Sequence, residues 1–77
     1  MYRVTVTTTT ADAFGFRTGR EHTFPAVESV PTYAEVAGML IAERIRERIV
    51  AIDVRHIFKG RTVARFSPEH SEIVEVF

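Results

Sequence analysis

Hydrophobic and polar residues alternate over residues 2–9 at the start of the chain. One face of this segment carries Tyr2, Val4 and Val6, and the other carries Arg3, Thr5 and Thr7. A spacing of two is typical of a strand with one buried face, and threonine on the wet side also suits a strand. A second, shorter strand is predicted over residues 20–24, after a turn at Thr18 and Gly19.

The segment from Thr32 to Arg48 has the pattern of an amphipathic helix. Thr32 and Glu35 have the spacing of a capping box, in which each side chain bonds the other residue's backbone amide. An apolar stripe follows at helical spacing, formed by Tyr33, Val36, Ala37, Leu40 and Ile41. Glycine in a helix interior costs about 1 kcal/mol relative to alanine, so Gly38 predicts a neighbour that packs closely against the helix.

Alternation returns over residues 50–58 and continues over residues 61–66, which predicts a β-hairpin. A loop at 58–60 would place Gly60 in the left-handed conformation that a three-residue hairpin loop needs. The resulting register sets Ile57 opposite Arg61, His56 opposite Thr62, Val54 opposite Ala64 and Asp53 opposite Arg65. The last pairing joins opposite charges across the strands. A final strand is predicted over residues 73–77, after a turn at residues 67–70.

The predicted element order is therefore β-β-α-β-β-β. It indicates a single α+β domain over residues 1–77, with a mostly antiparallel sheet of four to six strands and one helix packed on one face. The order is compatible with a β-grasp-like arrangement, which carries no function by itself. A chain of 77 residues has a thin core, and it contains no cysteine for disulfides, so dense packing or self-association must stabilise it.

The composition is that of a globular protein and argues against several functions. Apolar residues make up 45% of the chain and charged residues 26%, and the formal net charge of zero does not indicate a strongly cationic nucleic-acid binder. We find no secretory signal and no apolar run near the roughly 20 residues of a membrane span, so we expect a cytoplasmic protein without a membrane partner. Nine of the ten basic residues are arginine, which we interpret as the codon usage of a GC-rich bacterium or phage.

No catalytic, cofactor-binding or metal-binding motif stands out in the sequence. There is no phosphate-binding glycine loop, no nucleophile elbow and no thiolate zinc spacing. His22, His56 and His70 are far apart along the chain. We expect His56 to be a structural residue on the apolar face of its strand, with Asp53 on the opposite face, and His70 to be an exposed turn residue. These observations predict a protein that is not an enzyme and that needs no cofactor.

The candidate binding surface is the outer face of the 50–66 hairpin. The predicted register places five residues there: Arg55, Ile57, Arg61, Val63 and Arg65. Arginine mixed with exposed apolar residues is typical of an interface. The leading hypothesis is a small accessory module, bacterial or phage-encoded, that binds a protein partner or forms a homo-oligomer through its sheet surface.

Three other interpretations of the chain stay open. The first is nucleic-acid binding through Arg55, Arg61 and Arg65, which lacks the aromatic side chains that stack on bases in many single-strand binders. The second is a small enzyme, or an enzyme subunit, whose site is completed across an oligomer interface. The third is a solvated outer face with no ligand at all, on which Asp53 simply pairs with Arg65.

Overall fold

The computed structural model describes residues 1–67 and 71–76. Its elements are β1 (Tyr2–Ala11), β2 (Arg17–Thr23), α1 (Tyr33–Ala42), β3 (Arg48–His56), β4 (Arg61–Ser67) and β5 (Glu72–Glu75). The five strands form one sheet in the order β2-β1-β3-β4-β5, and all neighbouring strands are antiparallel. The predicted α+β class and the order β-β-α-β-β-β are confirmed. Strands β1, β3 and β4 lie inside the sheet, and β2 and β5 lie at its edges.

The helix packs on one face of the sheet and forms the core with it. The buried apolar residues are Val4, Val6, Phe24, Val36, Leu40, Ile52, Val54 and Ala64. The predicted inward positions of Val4 and Val6 are confirmed, because both are fully buried. Since alternate residues of a strand point to opposite sides, the residues between these positions lie on the face away from α1. No element within the described residues covers that second face.

The start of α1 is stabilised as the sequence predicts. The Glu35 amide donates to Thr32 Oγ1 at 3.2 Å, and the Thr32 amide donates to Glu35 Oε1 at 3.2 Å. These reciprocal bonds form a capping box. They satisfy two amides at the end of the helix that have no intrahelical partner.

The helix ends at Ala42 and not near Arg48 as predicted. Arg44 adopts a left-handed conformation with φ 59°. The amide of Arg44 donates to the Ile41 carbonyl, and the amide of Ile45 donates to the Leu40 carbonyl, each at 2.9 Å. This pair of bonds is a Schellman motif, which terminates a helix. The sequence pattern conceals it because arginine stands where glycine is usual.

Two residues of α1 differ from their predicted environments. Ile41 is 73% exposed, whereas Val36 and Leu40 are buried. At about 100° per residue, Ile41 lies roughly 140° around the helix from Val36 and so leaves the buried stripe. Gly38 is exposed, and a Cβ atom placed there would meet nothing within 4 Å. The close neighbour predicted at Gly38 is therefore absent from the described part of the chain.

The turn between β1 and β2 comes earlier than predicted. Asp12 Oδ1 accepts hydrogen bonds from the amides of Phe14 and Phe16, each at 2.9 Å, and Gly15 takes a positive φ of 83°. An aspartate that bonds following amides is a common way to start a turn. Thr18 and Gly19, where the turn was predicted, lie inside β2.

Two apolar residues of the predicted 50–58 strand are exposed. Val50 is 44% exposed, because the β1–β3 register shifts between Thr7 and Thr8 and leaves Val50 outside the paired positions. Phe58 is 83% exposed in the turn after β3. Residues 68–70 and 77 lie outside the described residues, so the predicted turn around His70 and the end of the last predicted strand are not tested.

A candidate binding surface on the uncovered sheet face

The uncovered face of the sheet is rich in threonine and arginine. Directly paired residues of antiparallel strands share a face, so the register assigns each strand position to one side. The side away from α1 carries Arg3, Thr5, Thr7, Thr9 and Ala11 of β1, Arg17, Gly19, Glu21 and Thr23 of β2, Arg48, Ala51, Asp53 and Arg55 of β3, Thr62, Arg65 and Ser67 of β4, and Glu72 and Val74 of β5. We call Arg3, Arg55 and Arg65 the arginine cluster.

The arginine cluster surrounds a single aspartate. Arg3 is the direct cross-strand partner of Arg55, and Asp53 is the direct partner of Arg65. Asp53 Oδ2 lies 4.0 Å from Arg55 Nε, and Asp53 Oδ1 accepts a 2.8 Å hydrogen bond from the Thr62 hydroxyl. Three guanidinium groups outnumber the carboxylates of Asp53 and the nearby Glu21, which leaves this region with a net positive charge. Like charges directly opposite each other are also unfavourable for the folded state.

A shallow depression of about 560 Å³ lies over the arginine cluster. All three arginines line it, together with Asp53 and Glu21. Sites that bind small molecules tightly are enclosed and mostly apolar. This open depression, lined by both polar and apolar residues and by five charged side chains, therefore suits contact with an extended or macromolecular ligand better than burial of a small one.

The structure separates the five residues that the sequence predicts on one face. Arg55 and Arg65 lie on the uncovered face as predicted. Arg61 is the direct partner of His56 and so lies on the helix side, where Val63 packs against the core. Ile57 belongs to the turn and is 37% exposed. The prediction of a shared face is therefore wrong for Arg61 and Val63, while a binding role for these residues stays a prediction.

A longer turn and a register shift cause this separation. Residues 57–60 form the turn, closed by a 2.8 Å hydrogen bond from the Gly60 amide to the His56 carbonyl. The left-handed conformation predicted for Gly60 is confirmed by its φ of 65°. Two predicted pairings are also confirmed: Asp53 with Arg65, and Val54 with Ala64. Beyond these two pairs the register shifts by one residue, so that Arg61 lies opposite His56. The residues of β4 before Ala64 therefore lie on the opposite face of the sheet from the one predicted.

Arg3 is the member of the cluster that sequence reasoning missed. The alternation over residues 2–9 does predict Arg3 on the polar side of its strand. Membership in the cluster, however, depends on β1 lying next to β3, and the chain separates those two strands by a second strand and a helix. No local pattern reports such a pairing. A search for arginines on the polar faces of all predicted strands would have found it.

His56 lies on the helix side, at the opposite face from Asp53, as the sequence predicts. Its ring packs edge-on against Tyr2 with centroids 5.3 Å apart, and its Nδ1 accepts from the Lys59 amide at 3.2 Å. Partial burial is the largest cause that lowers the pKa of His56 below its ordinary value. The N-terminal amino group, Lys59 and Arg61 lower this pKa further, because each disfavours a second positive charge nearby.

A polar cluster of Thr8, His22 and Glu47 lies on the helix side of the sheet, near β2. The fully buried Thr8 hydroxyl donates to Glu47 Oε1 at 2.7 Å. His22 Nε2 lies 3.0 Å from Thr8 Oγ1 and 3.2 Å from Glu47 Oε1. Arg20 Nη1 contacts Glu47 Oε2 at 3.4 Å from the exposed side. The sequence gives no sign of this cluster, since Glu47 belongs to the segment predicted as helix.

The polar cluster resembles a nucleophile, base and acid set only in its residue types. A nucleophilic hydroxyl donates to its general base and reaches solvent or substrate. The Thr8 hydroxyl instead donates to the carboxylate and has no exposed surface. The Thr8 hydrogen bond is the main cause that lowers the pKa of Glu47, and His22 and Arg20 act in the same direction. The cluster therefore satisfies a buried hydroxyl and anchors the chain before β3.

Other features of the described residues, and the comparisons with known proteins, add no further site. Within residues 1–67 and 71–76, no three His, Cys, Asp or Glu side chains are arranged to hold a metal ion. No helix in that part of the chain has the length and apolar character needed to cross a membrane. No protein-family model, curated protein or solved structure matches the chain.

Proposed function

We propose that this protein is a small, non-enzymatic interaction module that binds an acidic protein partner through the arginine cluster. The observation that supports this proposal is the juxtaposition of Arg3 with Arg55, beside Arg65 and on a face that no other element covers. We also propose a cytoplasmic location, because a chain without cysteine suits a reducing compartment.

The charge arrangement is unfavourable in the free protein and favourable in a complex with an acidic ligand. Directly opposed arginines repel each other, and Asp53 compensates only part of that charge. A carboxylate brought between Arg3 and Arg55 would replace this repulsion with charge-assisted hydrogen bonds. Guanidinium groups suit this role, since their planar donors match the two oxygens of a carboxylate.

An acidic protein fits this face better than a nucleic acid does. No strand position on the uncovered face carries an aromatic residue in the described part of the chain. Phe66 also lines the depression, but its ring is already stacked on Tyr33 of α1, so this face does not present a row of aromatic side chains to bases. Asp53 and Glu21 lie in the same depression and would repel a continuous phosphate backbone. A partner with a few spaced carboxylates can avoid both acidic side chains while it contacts the arginines.

Fluorescence anisotropy with two defined probes tests the proposal. One probe is a labelled oligoglutamate peptide and the other is a labelled oligothymidine, each titrated with the protein at low and at physiological salt. The variant is Arg55→Glu. The matched control is Arg61→Glu, which makes the same charge change in the same hairpin on the opposite side of the sheet.

We expect wild-type protein and Arg61→Glu to bind the peptide, and Arg55→Glu to lose at least tenfold in affinity. Peptide binding that weakens equally in both variants would show that overall charge, and not the uncovered face, attracts the ligand. Tighter and steeply salt-dependent binding of the oligothymidine would replace the proposal with a nucleic-acid function. If neither probe binds, the proposal that the arginine cluster binds an acidic ligand is wrong.

A further inference from the structure

Strand β2 forms an open edge of the sheet. Six of its seven residues are exposed, and only His22 is half-buried. Its pairing with β1 runs in unbroken register from Thr23 to Arg17, with no proline within the strand. A regular edge strand of this kind presents a row of backbone amides and carbonyls to which another strand can bind.

The backbone groups that face outward from β2 follow from its pairing with β1. The Phe24 amide donates to the Val4 carbonyl at 3.1 Å, so the backbone of Phe24 faces β1. Backbone groups alternate in direction along a strand of an antiparallel sheet. The amides and carbonyls of Arg17, Gly19 and Glu21 therefore face away from the sheet.

Two opposite charges lie symmetrically on this edge, two residues before and two residues after Gly19. Arg17 and Glu21 lie on the same face, and their direct partners on β1, Ala11 and Thr7, carry no charge. Four residues of a strand span about 13 Å, so Arg17 and Glu21 are too far apart to pair with each other. Neither forms an ion pair within the described part of the chain.

We propose that β2 binds β2 of a second copy of this chain, antiparallel and centred on Gly19, to form a continuous ten-stranded sheet. This register places Arg17 opposite the second copy's Glu21, and Glu21 opposite the second copy's Arg17. It brings outward backbone groups of one copy against outward groups of the other. The two copies of Gly19 face each other across the two-fold axis, where neither presents a side chain.

Charge complementarity selects this register over its neighbours. A pairing centred on Arg20 would set the two copies of Arg20 side by side, and one centred on Glu21 would do the same with two carboxylates. A pairing centred on Thr18 would leave Glu21 opposite the turn at Gly15. Only the register centred on Gly19 gives two cross-strand pairs of opposite charge, each of a kind that stabilises paired strands.

Charged residues on an edge strand also protect proteins from unwanted pairing, which is the main alternative to this proposal. Charges that serve only to repel a second copy need no symmetrical placement of opposite signs. The interface is short and buries less than a standard protein–protein contact, so we expect a dimer that forms reversibly as concentration rises. The proposal does not rest on the arginine cluster, because none of its residues lies on β2.

Sedimentation velocity over a range of protein concentrations, with two charge reversals, tests the dimer. Arg17→Glu places like charges at both cross-strand pairs of the dimer, and so does Glu21→Arg. We expect wild type to dimerise with concentration and each variant alone to stay monomeric. An equimolar mixture of the two variants should form a heterodimer, because every pair then joins opposite charges. The double variant carrying both changes should dimerise as wild type does.

Circular dichroism of each variant verifies that the fold is retained, and Arg61→Glu, an exposed charge change on β4, separated from β2 by two strands, serves as the control. Monomeric wild type at the highest concentrations would overturn the proposal. Single variants that dimerise as well as wild type would also overturn it, because a register that ignores these charges is not the one proposed. A mixture of the folded variants that stays monomeric would do the same.

Discussion

Arg3 and Arg55 face each other as direct partners across β1 and β3, on the side of the sheet that the helix leaves uncovered. Most cross-strand neighbours stabilise a sheet, whereas two positive charges at this position oppose it. Ligand binding explains this pair of arginines better than a contribution to the stability of the sheet does. Ligand binding and fold stability can therefore be separated by experiment, because a substitution that removes the repulsion should stabilise the fold and weaken binding.

Replacing Arg3 with glutamate should raise the stability of the free protein. Arg3→Glu turns a like-charged pair into an opposite-charged pair with Arg55, which contributes roughly 0.2–1 kcal/mol to the free energy of unfolding. The gain should shrink in high salt because exposed charges are screened. Urea denaturation at two salt concentrations measures both effects. The same variant should bind oligoglutamate more weakly, and an increase in both stability and affinity would contradict the account.

Gly38→Ala should stabilise the helix. Alanine is favoured over glycine in a helix interior by about 1 kcal/mol, and the added Cβ meets no atom within 4 Å. Thermal or urea denaturation should show a gain near that size. Gly60→Ala is the contrasting change, because Gly60 has a positive φ of 65° and alanine is strained there. A loss of stability in Gly38→Ala would show that a neighbour does pack against the helix at that position.

Arg44→Gly should also stabilise the protein. A residue other than glycine in the left-handed conformation costs roughly 1–2 kcal/mol, and the flexibility of glycine in the unfolded chain offsets about half of the gain. We therefore expect an increase of about 0.5–1 kcal/mol in the free energy of unfolding. Arg44→Ala retains the strained conformation without the charge, so it should change stability little. Equal gains in the two variants would assign the effect to the arginine side chain instead.

Acid should weaken the fold partly through Glu47. Its hydrogen bond from Thr8 lowers its pKa in the folded protein below the ordinary value of 4.5, so the unfolded chain binds a proton more readily than the folded one. The contribution of Glu47 is therefore fully present above pH 4.5 and is lost as pH falls through the lower, folded pKa. Urea denaturation across this range should show a shallower acid loss in Glu47→Gln than in wild type.

Two comparisons isolate this contribution of Glu47. Glu28→Gln, which removes an exposed carboxylate in the connection before α1, is the matched control for the loss of one negative charge. The pKa of His56 is also lowered in the folded protein. The loss of stability that comes from His56 therefore begins at a higher pH than that from Glu47, as the pH falls below the ordinary histidine value of 6.5. NMR titration of the Glu47 carboxyl should give a higher pKa in Thr8→Val than in wild type. An unchanged pKa in Thr8→Val would contradict the role given to that hydroxyl.

The elements of the fold follow from local patterns, because each depends on neighbours in the chain. The capping box at Thr32 and the left-handed Gly60 are both local, and the structure confirms both. The end of the helix is also local, but Arg44 takes a conformation that its residue type disfavours. Sequence reasoning fails there because the favourable bonds of the Schellman motif outweigh the intrinsic preference of the residue.

The candidate surface was harder to predict, because it depends on register and on strand order. A shift of one residue between Val54 and Arg55 moved Arg61 to the helix side. The pairing of β1 with β3 brought in Arg3, which local patterns do not place beside Arg55. The outward positions of Arg55 and Arg65, and the pairing of Asp53 with Arg65, could be predicted from alternation, charge and spacing.

Chemical-shift mapping of the folded protein by NMR distinguishes binding at the arginine cluster from binding elsewhere on the molecule. Oligoglutamate is titrated into labelled protein, and the backbone amides and arginine side-chain signals are followed. We expect the largest shifts on Arg3, Arg55 and Arg65, and no change at Arg61 and His56 on the helix side. Shifts centred on Arg61, or spread evenly over both sides of the sheet, would contradict this expectation.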